Sequence, residues 1–159
     1  MIDGRYLSEK FSSGSGRNTA FILAQKGLQA RQGHALVSSE HFRLYWEIQN
    51  LEDIGKNKRF AHLYNGGDYS LFYSPYRDVT QYGEDARRVK DHRSVVLRNP
   101  DHQFFSGIGY GKRGEFLDAH ILKPGMIFTS EGQAITRISP TEALLGTAFL
   151  NSGLATYMI

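Results

Sequence analysis

Three short stretches of the 159-residue chain interleave cations, amides and phenol rings. Arg43 and Tyr45 alternate along one of them. Asn65-Gly66-Gly67-Asp68 runs into Tyr69 and then Tyr73, and Tyr110-Gly111-Lys112-Arg113 sets a ring beside two cations. Groups of this kind recognise rather than react: arginine contacts guanine through two donors, asparagine pairs with adenine, lysine holds phosphates, and a tyrosine offers a ring for stacking. Groups that do covalent chemistry show no comparable pattern. The six histidines, at 34, 41, 62, 92, 102 and 120, share no ligand spacing, and without cysteine neither a disulfide nor a thiolate metal site can form. No catalytic residues and no metal ligands are assigned. Phe105-Ser106-Gly107-Ile108-Gly109 mimics a glycine-rich cofactor turn, but such a turn needs a strand before it and a helix after it. Here Lys112-Arg113-Gly114 and a further strand pattern follow, so the glycines read as a hairpin.

The elements that must position these groups are mostly strands. Alternation over 41–48 puts Phe42, Leu44, Trp46 and Ile48 on one face and Arg43, Tyr45 and Glu47 on the other, the period of a half-buried strand. The face bearing Arg43 and Tyr45 is expected to meet solvent or a ligand. A second short strand covers 60–64 and closes on the Asn65-Gly66-Gly67-Asp68 turn. Residues 83–90 are polar, acidic first and basic last, which suits a short surface helix. Residues 103–137 read as a run of antiparallel strands. Gly107, Gly109, Gly111 and Gly114 break the first hairpin, strands at 116–122 and 126–129 flank a Lys123-Pro124-Gly125 turn, and Glu131-Gly132 turns into a strand over 134–138. The end is helical, with Ser139 as N-cap, Pro140 at the first helical position and Glu142 completing a capping box. Leu144, Leu145, Ala148 and Phe149 form one apolar stripe, expected to be core. Residues 1–32 read as a lead-in with a flexible Ser-Ser-Gly-Ser-Gly at 12–16 and modest helical character at 19–25.

Composition sets the frame. The length suits one domain with a core of its own, and 40% hydrophobic and 22% charged residues are ordinary for a globular protein. Tyrosine outnumbers tryptophan nine to one, and a phenol suits a surface that is half buried and then covered by a partner. A formal charge of +3 permits a polyanionic partner without requiring one. No apolar run reaches the ~18 residues of a membrane span, so no membrane partner is expected and a cytoplasmic setting is.

Several segments, in order, resemble the recognition region that follows the catalytic domain in adenine-N6 DNA methyltransferases of the BREX and type II restriction-modification kind. Gln32-Gly33 leading to Phe42-Arg43-Leu44-Tyr45-Trp46-Glu47-Ile48 is similar to the family's aromatic-basic strand. Tyr64-Asn65-Gly66-Gly67-Asp68-Tyr69, ending at Tyr73, resembles its glycine-pair turn. Asn99 with Phe104-Phe105-Ser106-Gly107-Ile108-Gly109-Tyr110, and Phe116 through Ile121-Leu122-Lys123-Pro124-Gly125-Met126-Ile127-Phe128, look like its next two motifs. Leu144-Leu145-Gly146 with Leu150-Asn151-Ser152 resembles its terminal helix. The matches span residues 32–152. Three positions depart from the pattern: Leu36-Val37-Ser38-Ser39 replaces a Thr-Gly-Asp-Asn-like turn, Asn65 replaces a lysine, and His120 stands at a basic position.

The resemblance implies an α+β fold, a central antiparallel sheet with a C-terminal helix packed on it, divided into a lead-in over 1–32 and a partial target-recognition domain over 33–159. It implies double-stranded DNA as a partner, read through Arg43, Asn65, Tyr69, Tyr73, Tyr110, Lys112 and Arg113. It also implies a separate catalytic domain that binds S-adenosylmethionine and methylates adenine. That domain would carry an Asn-Pro-Pro-aromatic element to hold the flipped base. The one Asn-Pro here, in Asn99-Pro100-Asp101-His102, lacks the second proline and the ring and reads as a turn. The chain is therefore expected to hold no cofactor itself and to be incomplete at both ends, with apolar groups exposed where neighbours would cover them. Two other classes fit the residues: a freestanding hydrolase or nuclease, and a protein-interaction module.

Overall fold

A computed structural model describes residues 30–36, 42–66, 72–90, 95–112 and 116–158. Most of the expected lead-in, with its 12–16 and 19–25 segments, lies outside the described residues, as do Tyr69 and Arg113.

The architecture is α+β, with two four-stranded sheets in place of the single central sheet expected. The first sheet is antiparallel throughout. In spatial order it holds β1 (Ala30–Arg31), β8 (Gly132–Thr136), β5 (Gly107–Gly111) and β6 (His120–Leu122). The second runs β2 (Phe42–Leu44), β4 (Asp78–Gln81), β3 (Phe60–Tyr64) and β7 (Met126–Phe128), and its β3–β7 pair is parallel. Both strands of that pair are nearly continuous in burial rather than alternating, as expected when both faces are covered. The α-helices among the described residues are α1 (Arg87–Lys90), α2 (Pro140–Leu150) and α3 (Gly153–Met158).

The Lys123-Pro124-Gly125 turn is present, but it does not close a hairpin. β6 belongs to the first sheet and β7 to the second, so the chain changes sheets there and returns through residues 129–131 into β8. Of the glycines expected to break a hairpin, Gly107, Gly109 and Gly111 instead lie within β5, and Gly114 lies outside the described residues. Gly109 lets the two sheets approach, since a Cβ there would lie 2.5 Å from the Tyr64 ring, whereas a Cβ on Gly107 would lie 2.0 Å from the Ile135 carbonyl oxygen of the neighbouring strand β8. Tyr64, Leu122, Met126, Phe128 and Ala134 form the buried cluster that joins the two sheets.

The strand expected over 41–48 stops at Leu44. Glu47 turns back to accept the Leu44 N–H at 2.7 Å, and residues Tyr45–Glu47 wind into a 3-10 turn. The alternation therefore fails beyond Leu44, and Trp46, expected inward, is 58% exposed. The expected strand at 116–122 is likewise shorter, only His120–Leu122. The polar helix at 83–90 is present as a 3-10 turn followed by α1, with Ala86 and Val89 buried beneath it.

The C-terminal helix has the expected start. Ser139 Oγ accepts the Glu142 N–H at 3.2 Å and Glu142 accepts the Ser139 N–H at 2.8 Å. The buried face is a different one from that expected. Ala143, Thr147 and Leu150 are buried, while Leu144 and Leu145 are 64% and 67% exposed and Phe149 is also exposed. Gly146 explains the rotation, since a Cβ there would lie 2.5 Å from Ile108 Cδ1. Only a face of small residues lets the helix settle this close to β5. Asn151 then pins the helix end to the first sheet, accepting the Ala119 N–H at 2.7 Å and donating to the Ala119 carbonyl at 2.8 Å.

His34 closes the far side of the second sheet. Its ring is fully buried, Nδ1 accepts the Arg98 N–H at 3.1 Å, and Nε2 lies 3.0 Å from the Tyr82 hydroxyl. The proton of the neutral ring therefore sits on Nε2. Burial pushes the imidazole down to about 4.

Two expected outcomes follow from this packing. Gly109→Ala should lower stability by about 1–3 kcal/mol, because the buried Tyr64 ring must move; chemical denaturation checks it. For His34, the unfolded chain takes up a proton below about pH 6.5, while the folded chain refuses it until about pH 4. Stability is complete above pH 6.5 and should fall by on the order of 3 kcal/mol towards pH 4. His62 and His102 are also lowered and add to the same trend. His34→Gln should flatten the pH dependence by close to one proton, measured as denaturation midpoints from pH 7 to pH 4.

Candidate nucleic-acid interface

The 3-10 turn at Tyr45–Glu47 does more than end a strand. It throws Tyr45 and Trp46 outward as an edge-to-face pair with ring centroids 5.2 Å apart. The Tyr45 N–H donates to the Arg77 carbonyl at 2.8 Å, which holds this pair against the segment carrying Tyr73 and Tyr76. Together these residues line a groove of about 680 Å³ floored by His62 and walled by Leu51 and Ile54. Tyr73 is 63% exposed. Tyr76 is partly buried and its hydroxyl donates to the Ile121 carbonyl at 3.0 Å. The Lys123 ammonium lies 4.5 Å from the Tyr76 ring centroid, a cation–π contact with a ring that lines the groove.

Strand register brings Arg43 towards this face. Met126, His62, Val79 and Arg43 are successive cross-strand partners over β7, β3, β4 and β2, and directly opposed residues project to one side of a sheet. Arg43 is the outermost of the row, on the edge strand, and its guanidinium donates to the Phe42 carbonyl at 2.8 Å. His62 Nδ1 is buried without a hydrogen-bond partner, and burial lowers the ring's pKa. The neutral ring lines the groove beside aromatic and aliphatic side chains, with Nδ1 itself enclosed.

Of the other expected residues, the described ones, Asn65, Tyr110 and Lys112, fall in a second group, at the turn between β7 and β8. The Thr129 hydroxyl donates to Asn65 Oδ1 at 2.6 Å. The Tyr110 hydroxyl donates to Gln133 Oε1 at 3.0 Å, and burial pushes it up to about 12. The Lys112 ammonium lies 3.7 Å from Glu131 Oε1, with both side chains about two-fifths exposed. An ion pair this exposed is weak and can be exchanged for a phosphate. The Asn65 amide oxygen and the Tyr110 hydroxyl are instead engaged within the fold. His120, which stands at a basic position of the recognition pattern, is buried and hydrogen-bonded to the Tyr64 hydroxyl at 3.0 Å, so it faces the core rather than a ligand.

Sequence reasoning paired Arg43 with Tyr45 and found Tyr73. It missed Trp46 and His62 as surface-groove residues, because strict alternation placed Trp46 inside. The signal that could have found Trp46 is Glu47, a carboxylate three residues after Leu44, spaced to cap the turn. Among the described residues, no group of three His, Cys, Asp or Glu side chains could hold a metal ion, and no helix is long and apolar enough to cross a membrane. The chain matches no family model and no curated protein sequence.

Proposed function

We propose that the chain is a DNA-recognition module working beside a separate adenine-N6 methyltransferase domain in the cytoplasm, a target-recognition-like unit of the restriction-modification or BREX kind. The observation that carries the reading is the groove lined by Tyr45, Trp46, Tyr73 and Arg77, with Lys123 stacked on the Tyr76 ring that also lines it and Arg43 on the edge strand of the same sheet. Exposed rings interleaved with cations suit a nucleic acid. The rings meet base edges, thymine methyls or an opened step, while the cations meet phosphates. Further support comes from where the family-like segments lie. Tyr64 and Asn65, the glycines of β5, and the Lys123-Pro124-Gly125 turn all take part in the junction between the sheets, as the signature of a shared fold would.

The partner half of the proposal draws on α2 and α3. Leu144, Leu145, Phe149, Leu154 and Tyr157 are exposed along the two terminal helices. Neighbouring apolar side chains at this exposure mark a surface that another protein surface covers. In the proposed arrangement the catalytic domain covers it and supplies both S-adenosylmethionine and the base pocket.

Trp46 is the chain's single tryptophan and lines the groove, so its emission reports directly on occupancy. Titration with mixed-sequence duplex at low salt should change Trp46 fluorescence with a dissociation constant of roughly 10⁻⁴ to 10⁻⁶ M, rising steeply with added salt. By anisotropy of a labelled duplex, Tyr73→Ala should weaken binding several-fold. Lys112→Ala/Arg113→Ala should reduce the salt dependence by about two phosphates' worth of slope if the second group also touches the backbone. Absence of any duplex binding at low salt sinks the reading. The chain alone, incubated with labelled S-adenosylmethionine and the same DNA, is expected to transfer no methyl group above a no-protein control.

A further inference from the structure

The 3-10 turn at Leu51–Asp53 and the bend after it divide two grooves. Leu51 and Ile54 face the aromatic groove, and Lys56 and Asn57 line a second groove of about 750 Å³. Its chemistry is different. Among the described residues that line it, Lys56, Lys90 and Arg137 come from three separate parts of the chain and Asp101 is the one carboxylate. None of the three cations makes an ion pair with a described residue. The Arg137 guanidinium instead lies 4.6 Å from the centroid of the exposed Phe105 ring. Three exposed cations at one concavity repel one another and favour an anion between them.

The backbone of this groove is unusual too. Among the described residues, seven that are not glycine have a positive φ, and four of them line it: Asn57 (61°), Ala86 (60°), Phe104 (67°) and Arg137 (64°). Asparagine tolerates this conformation, whereas alanine, phenylalanine and arginine adopt it at a cost. Such residues gather where the surroundings hold side chains in place for a ligand. Here the conformation is held by neighbouring backbone bonds: Phe104 N–H to the Met126 carbonyl at 2.8 Å and Arg137 N–H to the Ser106 carbonyl at 3.2 Å. The first bond ties the groove wall to β7, and the second ties Arg137 to Ser106, beside Phe105 and immediately before β5, so Phe105 and Arg137 are held next to each other.

We infer that this second groove binds a nucleotide, with the phosphates between Lys56, Lys90 and Arg137 and the base stacked on the Phe105–Arg137 pair. The volume falls within the roughly 300–1,000 Å³ of small-ligand sites and is too small to seat a duplex. The ring and the planar guanidinium suit a flat aromatic group, and the charge suits phosphate. The same chemistry is offered by a free nucleotide and by one nucleotide of a single strand. The site is separate from the aromatic groove, and its assignment stands whether or not the chain recognises duplex DNA.

The test uses the full chain at low salt with four probes: adenosine triphosphate, pyrophosphate, adenosine and a labelled 12-nucleotide single strand. Adenosine triphosphate should bind saturably and roughly tenfold tighter than pyrophosphate through base stacking, with adenosine weakest. Arg137→Asn removes the charge with a residue that tolerates the positive φ, and Lys56→Gln/Lys90→Gln removes the other two. Each should weaken adenosine triphosphate about tenfold or more, with the thermal unfolding midpoint within a few degrees of the parent. Phe105→Leu should abolish the preference for adenosine triphosphate over pyrophosphate while leaving pyrophosphate binding intact, an outcome that general destabilisation does not produce. Binding of the single strand but not of the free nucleotide, lost in the same variants, assigns the groove to a nucleotide within a strand. Three results overturn the inference: no saturable binding of any phosphate-bearing probe at millimolar concentration, unchanged affinity in Arg137→Asn and in the double-lysine variant, or loss of binding in Trp46→Ala alone, which puts the ligand in the other groove.

Discussion

The two sheets meet at the Tyr64 ring, and the rest of the structure depends on that meeting. Tyr64 ends β3 of the second sheet and lies against β5 and β8 of the first. A Cβ at Gly109 would come within 2.5 Å of the ring, and a Cβ at Gly132 would meet the Gly66 backbone nitrogen at 2.2 Å as well as the ring at 2.8 Å. Gly109 leaves room for the ring and Gly132 for the backbone that follows it, and the ring's hydroxyl is satisfied by His120 from β6. Burial, with Asp118 and Tyr110 nearby, holds the phenol well above its ordinary range, so it stays neutral at the joint. The crossing from β6 to β7, the turn that engages Thr129 and Asn65, and the return into β8 all run around this ring. Both grooves draw on strands fixed here: the floor of the aromatic groove on β3, and the Phe104 wall of the cationic groove on its bond to β7.

What the sequence disclosed is what neighbouring residues decide among themselves. The capping box at Ser139 and Glu142 is written within four residues, and it is present. The Lys123-Pro124-Gly125 turn is local, and it is present, with Gly125 at a φ of 87°. What that turn connects is decided by partners far away: β7 pairs with β3, some sixty residues earlier, and so the chain changes sheets instead of folding back. The apolar stripe of α2 was misread for a related reason. Leu144 and Leu145 carry more hydrophobic surface than Ala143 and Thr147, but Gly146 lets Ile108 reach the helix backbone, and close approach of the small face decided the orientation.

The candidate site divides along the same line. Arg43 and Tyr73 are exposed, as their types suggest. Asn65 and Tyr110 have the right types as well, yet Thr129 and Gln133, from distant positions, take up the Asn65 amide oxygen and the Tyr110 hydroxyl. Trp46 was hidden by a pattern that held for three residues and was then ended by Glu47. The cationic groove had no local signature beyond the basic run Lys56-Asn57-Lys58-Arg59, because Lys90 and Arg137 join Lys56 only in the folded chain.

The segment between the grooves shapes both of them. Asn50 caps its turn by accepting the Glu52 N–H at 3.1 Å, and the Gly55 N–H donates to the Phe60 carbonyl at 2.9 Å, fastening the bend to the start of β3. The segment is thus held at both ends, with Leu51 and Ile54 lining one groove and Lys56 and Asn57 the other. One short bend, positioned by its bond to β3, therefore supplies an apolar wall to the aromatic groove and a cation to the other.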